Sequence, residues 1–416
     1  MTMTLDSASF AAVDRPAGAK RLLAAGHEAA EDAHLRTFGP LPLRKSAALL
    51  TELEASGLAG RGGAGFPTWR KLAAAENSRS SRSRRHSPIV IGNGGEGEPL
   101  SWKDAVLLQN APHLVIDGLL TAARAIGAGN VILSVGSDTI AAVRAAIDGR
   151  SDDARHIELV VAADGFVSGE AGAVVNAIEN GDPRPTDRTI RLTESGLNRR
   201  PTLVQNVETL AHLGLIARFG ADWFRTVGAP DDPGTRLVTV TGDVAREGVF
   251  EVATDTTVEQ VIRSTGTDPA SASAALVGGY HGTWIPSAAF SAPLSPRGLE
   301  PFDARPGAGI VHVLGRNRCG LSATASIVSY LAGETAGQCG PCMFGLPALA
   351  ARFSDLARGT AARANAAELV RLSDSIVGRG ACYHPDGTVR LIRSALATFA
   401  GDVRSHAAGY CTRTEG

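Results

Sequence analysis

The sequence predicts an α/β fold over residues 46–230, a smaller β-rich unit over 235–315 and a helical region over 320–416. Three observations carry this prediction. Short apolar runs at 88–91, 131–135 and 157–162 alternate with helical periods at 114–126 and 139–147, the pattern of a mostly parallel sheet with helical crossovers. After Pro230-Asp231-Asp232-Pro233-Gly234 the texture changes to Thr, Val and Gly with alternating runs such as 237–240. From Ser322 onward Ala-rich helical periodicity returns.

Taken in order, residues 1–45 form an N-terminal extension whose first 20 or so residues read as frayed. Ala47-Ala48-Leu49-Leu50 with Leu53 predicts a short helix ending near Gly57. The glycine-rich loop Gly60-Arg61-Gly62-Gly63-Ala64-Gly65-Phe66-Pro67-Thr68 follows it, and the Ser/Arg run at 77–87 reads as a mobile loop. Strand 88–91 runs into a second glycine-rich loop, Gly92-Asn93-Gly94-Gly95-Glu96-Gly97-Glu98-Pro99. Gly127 stops helix 114–126, and 204–219 reads as one amphipathic helix.

At 416 residues the chain has room for two or three domains at about 150 residues each. With 44% hydrophobic and 20% charged residues it is a folded globular chain and not a disordered one. A formal net charge of −1 excludes phosphate tracking over a large surface, so no nucleic-acid partner is predicted. No apolar run approaches the roughly 18 residues that span a bilayer. The first sixteen residues lack a basic segment leading into an apolar one, so no secretory signal is read and a cytoplasmic protein is expected.

Gly60 to Gly65 spells G-x-G-x-x-G, but a dinucleotide fingerprint needs a strand before it, and here a helix is predicted. Arg82, Arg84 and Arg85 lie downstream where an acidic residue would bind a ribose; they would suit a 2′-phosphate. What remains is an anion cradle: glycines admit backbone N–H groups close to a phosphate, with Arg61 and Lys71 to offset its charge. A plain glycine-rich turn is the alternative. The second loop follows a strand, where open α/β sheets bind ligands, and Asn93, Glu96 and Glu98 gather acceptors suited to a redox cofactor rather than a phosphate. Solvated loop charges are the bland reading of the two glutamates.

All five cysteines, Cys319, Cys339, Cys342, Cys382 and Cys411, fall in the last hundred residues. Cys339-Gly340-Pro341-Cys342, placed between helices, favours a metal over thioredoxin-type chemistry. Iron–sulfur is one candidate, and zinc is the other, since Cys382-Tyr383-His384 would complete a Cys₃His set.

Four co-linear segments resemble one family, the flavoprotein F subunit of bacterial NADH–quinone oxidoreductase, shared with NAD-linked hydrogenases and formate dehydrogenases. They are Gly57 through Thr68, Asn93 through Pro99 with Lys103-Asp104, Gly169-Glu170, and Pro201-Thr202-Leu203-Val204-Gln205-Asn206-Val207-Glu208-Thr209-Leu210. The resemblance implies a Rossmann-like FMN-binding domain (46–230), a β-grasp-like soluble-ligand-binding (SLBB) domain (235–315) and a helical-bundle iron–sulfur domain (320–416). It implies that Gly60, Arg61, Gly62 and Lys71 cradle FMN phosphate, that Asn93, Glu170, Asn206 and Thr209 hold its ribityl chain and ring, and that Gly63 and Glu96 are further cofactor-binding positions. Phe66 would stack on the adenine of NADH, and Glu98, the catalytic position, would orient its nicotinamide. Cys339, Cys342 and Cys382 would ligate a 4Fe-4S cluster. The implied partners are a ferredoxin or iron–sulfur subunit and a thioredoxin-like subunit.

Departures from the family pattern are specific. Ala336 replaces the first cysteine of its C-x-x-C-x-x-C run, Gly95 the aspartate of its acidic loop, Ala171 the second glutamate of its G-E-E, and Met343 an arginine. A second adenine-stacking aromatic is replaced at about Ala74. The cluster then takes a fourth ligand from Cys319, Cys411, His384 or a non-protein group, or is a 3Fe-4S cluster. Two further readings stand beside NADH oxidation: a degenerate F-type subunit acting as relay or scaffold, and a structural zinc protein.

Overall fold

The computed structural model describes residues 20–81, 87–150, 153–186, 190–359 and 364–413. Its first layer is a four-stranded parallel sheet, ordered β3-β2-β1-β4. The strands are β1 (Ile89–Gly94), β2 (Asn130–Val135), β3 (Ile157–Val161) and β4 (Thr202–Asn206). Helices α1 (Glu31–Phe38), α2 (Ser46–Ser56) and α3 (Thr68–Ser81) precede β1. Next come α4 (Lys103–Asn110), α5 (Pro112–Ile126), α6 (Ile140–Gly149), α7 (Ala171–Asn180) and α8 (Val207–Phe224).

Period-two burial explains the two faces of this sheet. Val90 faces a large core with Leu107, Leu114 and Leu210, while Ile89 and Ile91 face a smaller one with Val174 and Val175. Buried on nearly every side, α5 packs against α8 where a Cβ on Gly118 would lie 1.7 Å from the Leu210 carbonyl oxygen. Glycine there lets the two backbones touch. Pro112 opens α5, and Gly127 closes it in the left-handed region (φ 62°).

Past the short pair β5 (Gly228–Ala229) and β6 (Asp232–Pro233) lies a five-stranded mixed sheet. It comprises β7 (Thr235–Gly242), β8 (Gly248–Ala253), β9 (Ala272–Val277), β10 (Thr283–Pro286) and β11 (Ile310–Gly315), ordered β10-β9-β11-β7-β8. Only β11 and β7 pair in parallel. Within this region α9 (Val258–Ser264) opens on a Thr257/Gln260 capping box, and α10 (Pro296–Leu299) is one turn. Helices α11 (Gly320–Gly333), α12 (Leu346–Ala357), α13 (Ala364–Ile376), α14 (His384–Thr398) and α15 (Ala400–Ala407) complete the chain around a core with Leu331, Phe353 and Ile392. The expected mixed α/β architecture with a parallel sheet and a helical C-terminal region is present.

Two local expectations are corrected. Residues 204–206 are not helical: Thr202 to Asn206 pair in parallel with β1, and Asn206 caps α8 by accepting from the N–H groups of Glu208 and Thr209. Long-range pairing claims residues that local periodicity assigned to the helix. At 77–81 the chain continues α3, carried on by Leu72 and Ala75 buried in the core; Arg82, Arg84 and Arg85 lie outside the described residues, as do residues 1–19.

Candidate functional site

The chain runs β1, β2, β3 outward to one edge and then returns to place β4 on the other side of β1. The reversal opens a crevice at the carboxyl ends of β1 and β4, where open α/β sheets bind ligands. Asn93 and Asn206, far apart in sequence, are register partners at that crevice. Around them gather the glycine-rich segments. The first loop leaves and re-enters through a bridge between Ala59 and Pro67, with Gly60 N–H donating to Phe66 O at 2.9 Å. A Cβ on Gly62 would lie 3.1 Å from Asn206 Cβ, so the loop rests against the end of β4. Gly63 (φ 103°) holds a backbone that side-chain-bearing residues rarely adopt.

From the other side, Asn93 Nδ2 donates to Gly169 O at 3.0 Å, bringing in Glu170. Glu170 caps α7 by accepting from the N–H groups of Gly172 and Ala173. Lys71 is largely buried, and burial lowers its pKa against the opposing influence of Glu170. A buried ammonium of this kind favours an anionic neighbour. Thr209 Oγ1 accepts from Arg61 N–H at 2.8 Å.

The Arg61 side chain takes a different course. Its guanidinium turns inward to Asp232 (2.6 Å) and the Pro233 carbonyl oxygen (3.0 Å). Arg236 also contacts Asp232 at 2.5 Å, so one buried carboxylate joins two guanidiniums. Asp232 gave no signal within its Pro/Asp linker. Burial pushes its carboxyl pKa up, but Arg61 and Arg236 outweigh that and hold it at about 2.

Glu96 accepts from Ser101 Oγ and from Ala105 N–H (3.1 Å), and burial next to Asp104 pushes its pKa up to about 7. Glu98 Oε2 accepts from Tyr280 N–H at 2.9 Å, while its buried Oε1 lacks a hydrogen-bond partner among the described residues. Burial raises its pKa to about 8, so Glu98 is largely protonated at neutral pH. Beneath the crevice, Lys103 bridges Asp104 (2.7 Å) and Glu208 (2.9 Å), and Asp104 accepts from Asn206 Nδ2 at 2.6 Å. Phe66 stands 46% exposed.

The crevice is tied to the cysteine region. A Cβ on Gly97 would meet Phe166 O at 2.6 Å, and Phe166 N–H donates to Glu334 Oε2 at 3.1 Å. The Phe166 ring packs against His281, Tyr330 and His384. Cys339 lies two residues ahead of a π-helical segment, Pro341–Gly345, Cys342 lies within its first turn, and Cys382 lies just ahead of α14. The three are electrostatic neighbours: burial and the thiols of Cys339 and Cys382 push Cys342 up to about 12. His384 spends both ring nitrogens elsewhere, Nδ1 at 3.0 Å from His281 Nε2 and Nε2 at 2.8 Å from Leu331 O. It is thereby turned away from the zinc-ligand role considered from sequence. Ala336 is buried and brings no donor.

Residues 53–214 match the Nuo51 FMN-binding domain, and residues 322–406 match the iron–sulfur binding region of NADH-ubiquinone oxidoreductase F. Fold, crevice and cysteines thus define a protein that joins an FMN-binding domain to an iron–sulfur region. The HndC subunit of an NADP-reducing hydrogenase from Solidesulfovibrio fructosivorans is 28% identical, over 84% of this chain and 74% of its own length. The F subunit of NADH-quinone oxidoreductase from Aquifex aeolicus is 29% identical, over 88% and 89%. A crystal structure of NAD+-reducing [NiFe]-hydrogenase in the H2-reduced state superposes with a TM-score of 0.78 at 30% identity, covering 87% of this chain. This chain spans 63% of that hydrogenase chain. The chain carries both the FMN-binding and the iron–sulfur region of the F subunits of NADH-quinone oxidoreductase and is similar to such subunits over most of its length. Among the described residues no helix is long and apolar enough to cross a membrane.

Proposed function

We propose that this chain is an NADH-oxidising flavoprotein that passes electrons through FMN to an iron–sulfur centre, and from there to a ferredoxin-like acceptor or an iron–sulfur partner subunit. The carrying observation is the crevice where Asn93 and Asn206 stand in register, with the glycine loop pressed on Asn206 and Lys71 buried nearby. These residues fit an anionic cofactor. Backbone N–H groups of Gly62 and Gly63 with the Lys71 ammonium hold its phosphate, while Gly60 closes the loop on Phe66; Asn93, Glu170, Asn206 and Thr209 supply polar contacts along its length. Bound FMN would accept a hydride from NADH and release its electrons one at a time; the chain supplies orientation and electrostatics.

Each residue acts within its place in the fold. Arg61 holds the loop through its ion pair with Asp232 rather than by extending a guanidinium to phosphate. Phe66, exposed beside the loop, offers a face to the adenine of NADH. Glu98, protonated at neutral pH and with one oxygen unpaired, can offer a hydrogen bond to the nicotinamide amide. Cys339, Cys342 and Cys382 supply three soft ligands, enough for a 3Fe-4S cluster or for three irons of a 4Fe-4S cluster. A thioredoxin-like subunit, as the family carries, is an accompanying partner.

Ala336 favours a second reading, a relay or scaffold without NADH turnover, because an alanine cannot ligate iron. Anaerobic purification followed by flavin, iron, sulfide and zinc analysis, then NADH addition, separates the readings. Flavin that bleaches on NADH addition, with iron and sulfide present, is expected. Unbleached flavin moves the chain to the relay reading, and zinc without iron or flavin sinks both.

A further inference from the structure

Cys319, His406 and Cys411 come from three places in the chain and meet at one point. Cys319 precedes α11 directly, His406 lies in the last turn of α15, and Cys411 follows in the tail. Their ligand atoms lie within 4.8 Å of one another. Cys319 Sγ is 3.5 Å from His406 Nε2. A tetrahedral zinc ion, bound at about 2.3 Å to sulfur and about 2.0 Å to nitrogen, sets two such atoms about 3.6 Å apart. Cys319 and His406 are buried, whereas Cys411 is exposed.

Two cavities meet here. One of about 500 Å³ is lined by Cys319, and one of about 710 Å³ by His406 and Cys411; Ser322 and Ser326 line both. An ion therefore has a way in, and water has room beside it. Two thiols and an imidazole suit a borderline-soft cation and disfavour magnesium or calcium, which take oxygen ligands. Both cysteines lie outside residues 322–406, the segment that matches the iron–sulfur region.

We propose that Cys319, His406 and Cys411 bind one zinc ion, with water from the adjoining cavity in the fourth position. Binding replaces the two thiol protons, which leave to solvent, and the neutral imidazole coordinates through Nε2; no group changes oxidation state. The ion ties the start of α11 to the tail beyond α15. It closes the segment that carries Cys339, Cys342 and Cys382, and so restrains the scaffold of that second cysteine set.

Metal analysis of the full chain, purified anaerobically without chelator, is the first test: about one zinc per chain is expected, whatever the iron content. Cys411→Ser alters an exposed residue, so it should leave the fold and the iron content unchanged while zinc falls away. Cobalt(II) is the second probe, added to the full chain carrying Cys339→Ser and Cys342→Ser. Tetrahedral d–d bands and thiolate-to-cobalt charge transfer should appear, bleach with zinc, and weaken on adding Cys411→Ser or His406→Gln. Zinc content unchanged by Cys411→Ser, or no tetrahedral cobalt signal, overturns the proposal. So does a Cys319–Cys411 disulfide found by peptide mass analysis of the anaerobically isolated chain.

Discussion

Replacing Asp232 by Asn removes one charge from the buried triad that fastens the glycine loop to the start of the second sheet. Asp232 and Arg61 are each about 1% exposed in their side chains, so water cannot take the lost partner's place. The carboxyl ionises at about 2 in the fold against 3.8 in free solution. At about 1.36 kcal/mol per tenfold change, that difference stabilises the fold by about 2 kcal/mol. Leaving Arg61 and Arg236 without their anion raises the total cost to about 3–5 kcal/mol, a large share of the roughly 5–15 kcal/mol that holds a domain folded. The pKa is depressed, so the stabilisation is fully present above pH 3.8 and is lost as pH falls through 2. Urea denaturation of wild type and Asp232→Asn between pH 7 and pH 2 measures it. The gap between the two proteins should be about 3–5 kcal/mol at neutral pH and shrink in acid, with FMN retention falling in the variant. A gap below about 0.5 kcal/mol at pH 7, the range of an ordinary surface substitution, would refute the argument.

Three further outcomes are expected. Lys71→Met should raise the FMN Kd about 10- to 100-fold in a flavin fluorescence titration, since a charged hydrogen bond is worth about 1.5–3 kcal/mol, with little change in Tm. Gly97→Ala forces a Cβ to within 2.7 Å of two backbone oxygens, those of Gly165 and Phe166, and should cost about 1–3 kcal/mol of stability by denaturant titration. Gly149→Ala, with nothing within 4 Å, is the control that should lose none. Ala336→Cys should raise iron content and replace any three-iron EPR signal by that of a reduced four-iron cluster; an unchanged spectrum would mean that position 336 does not reach the cluster.

What could be read ahead of the structure were features with local causes. Ile89, Val90 and Ile91 announce a strand buried on both faces, and Gly127 announces a helix stop because its left-handed φ costs glycine least. The glycine loops were legible for the same reason, since their composition marks backbone that must lie close to something else. Features set by distant partners were not. The boundary between β4 and α8 depends on pairing with β1, which periodicity does not register. His384 carried the residue type of a zinc ligand, but His281 and Leu331 claim its two nitrogens.

By itself the sequence determined the chemistry on offer: glycine-rich anion cradles, a lysine at position 71 close behind the first of them, and a late cluster of thiols. Tertiary structure alone decided how these groups are shared out. It turned the Arg61 guanidinium from the crevice to Asp232, 171 positions away. It brought Cys319 to His406, 87 positions on, and set that pair apart from Cys339 and Cys342. The reason is common to both cases. A buried charge or thiol takes its nearest complementary partner in space, and that distance is set by the packing of sheets and helices rather than by spacing along the chain.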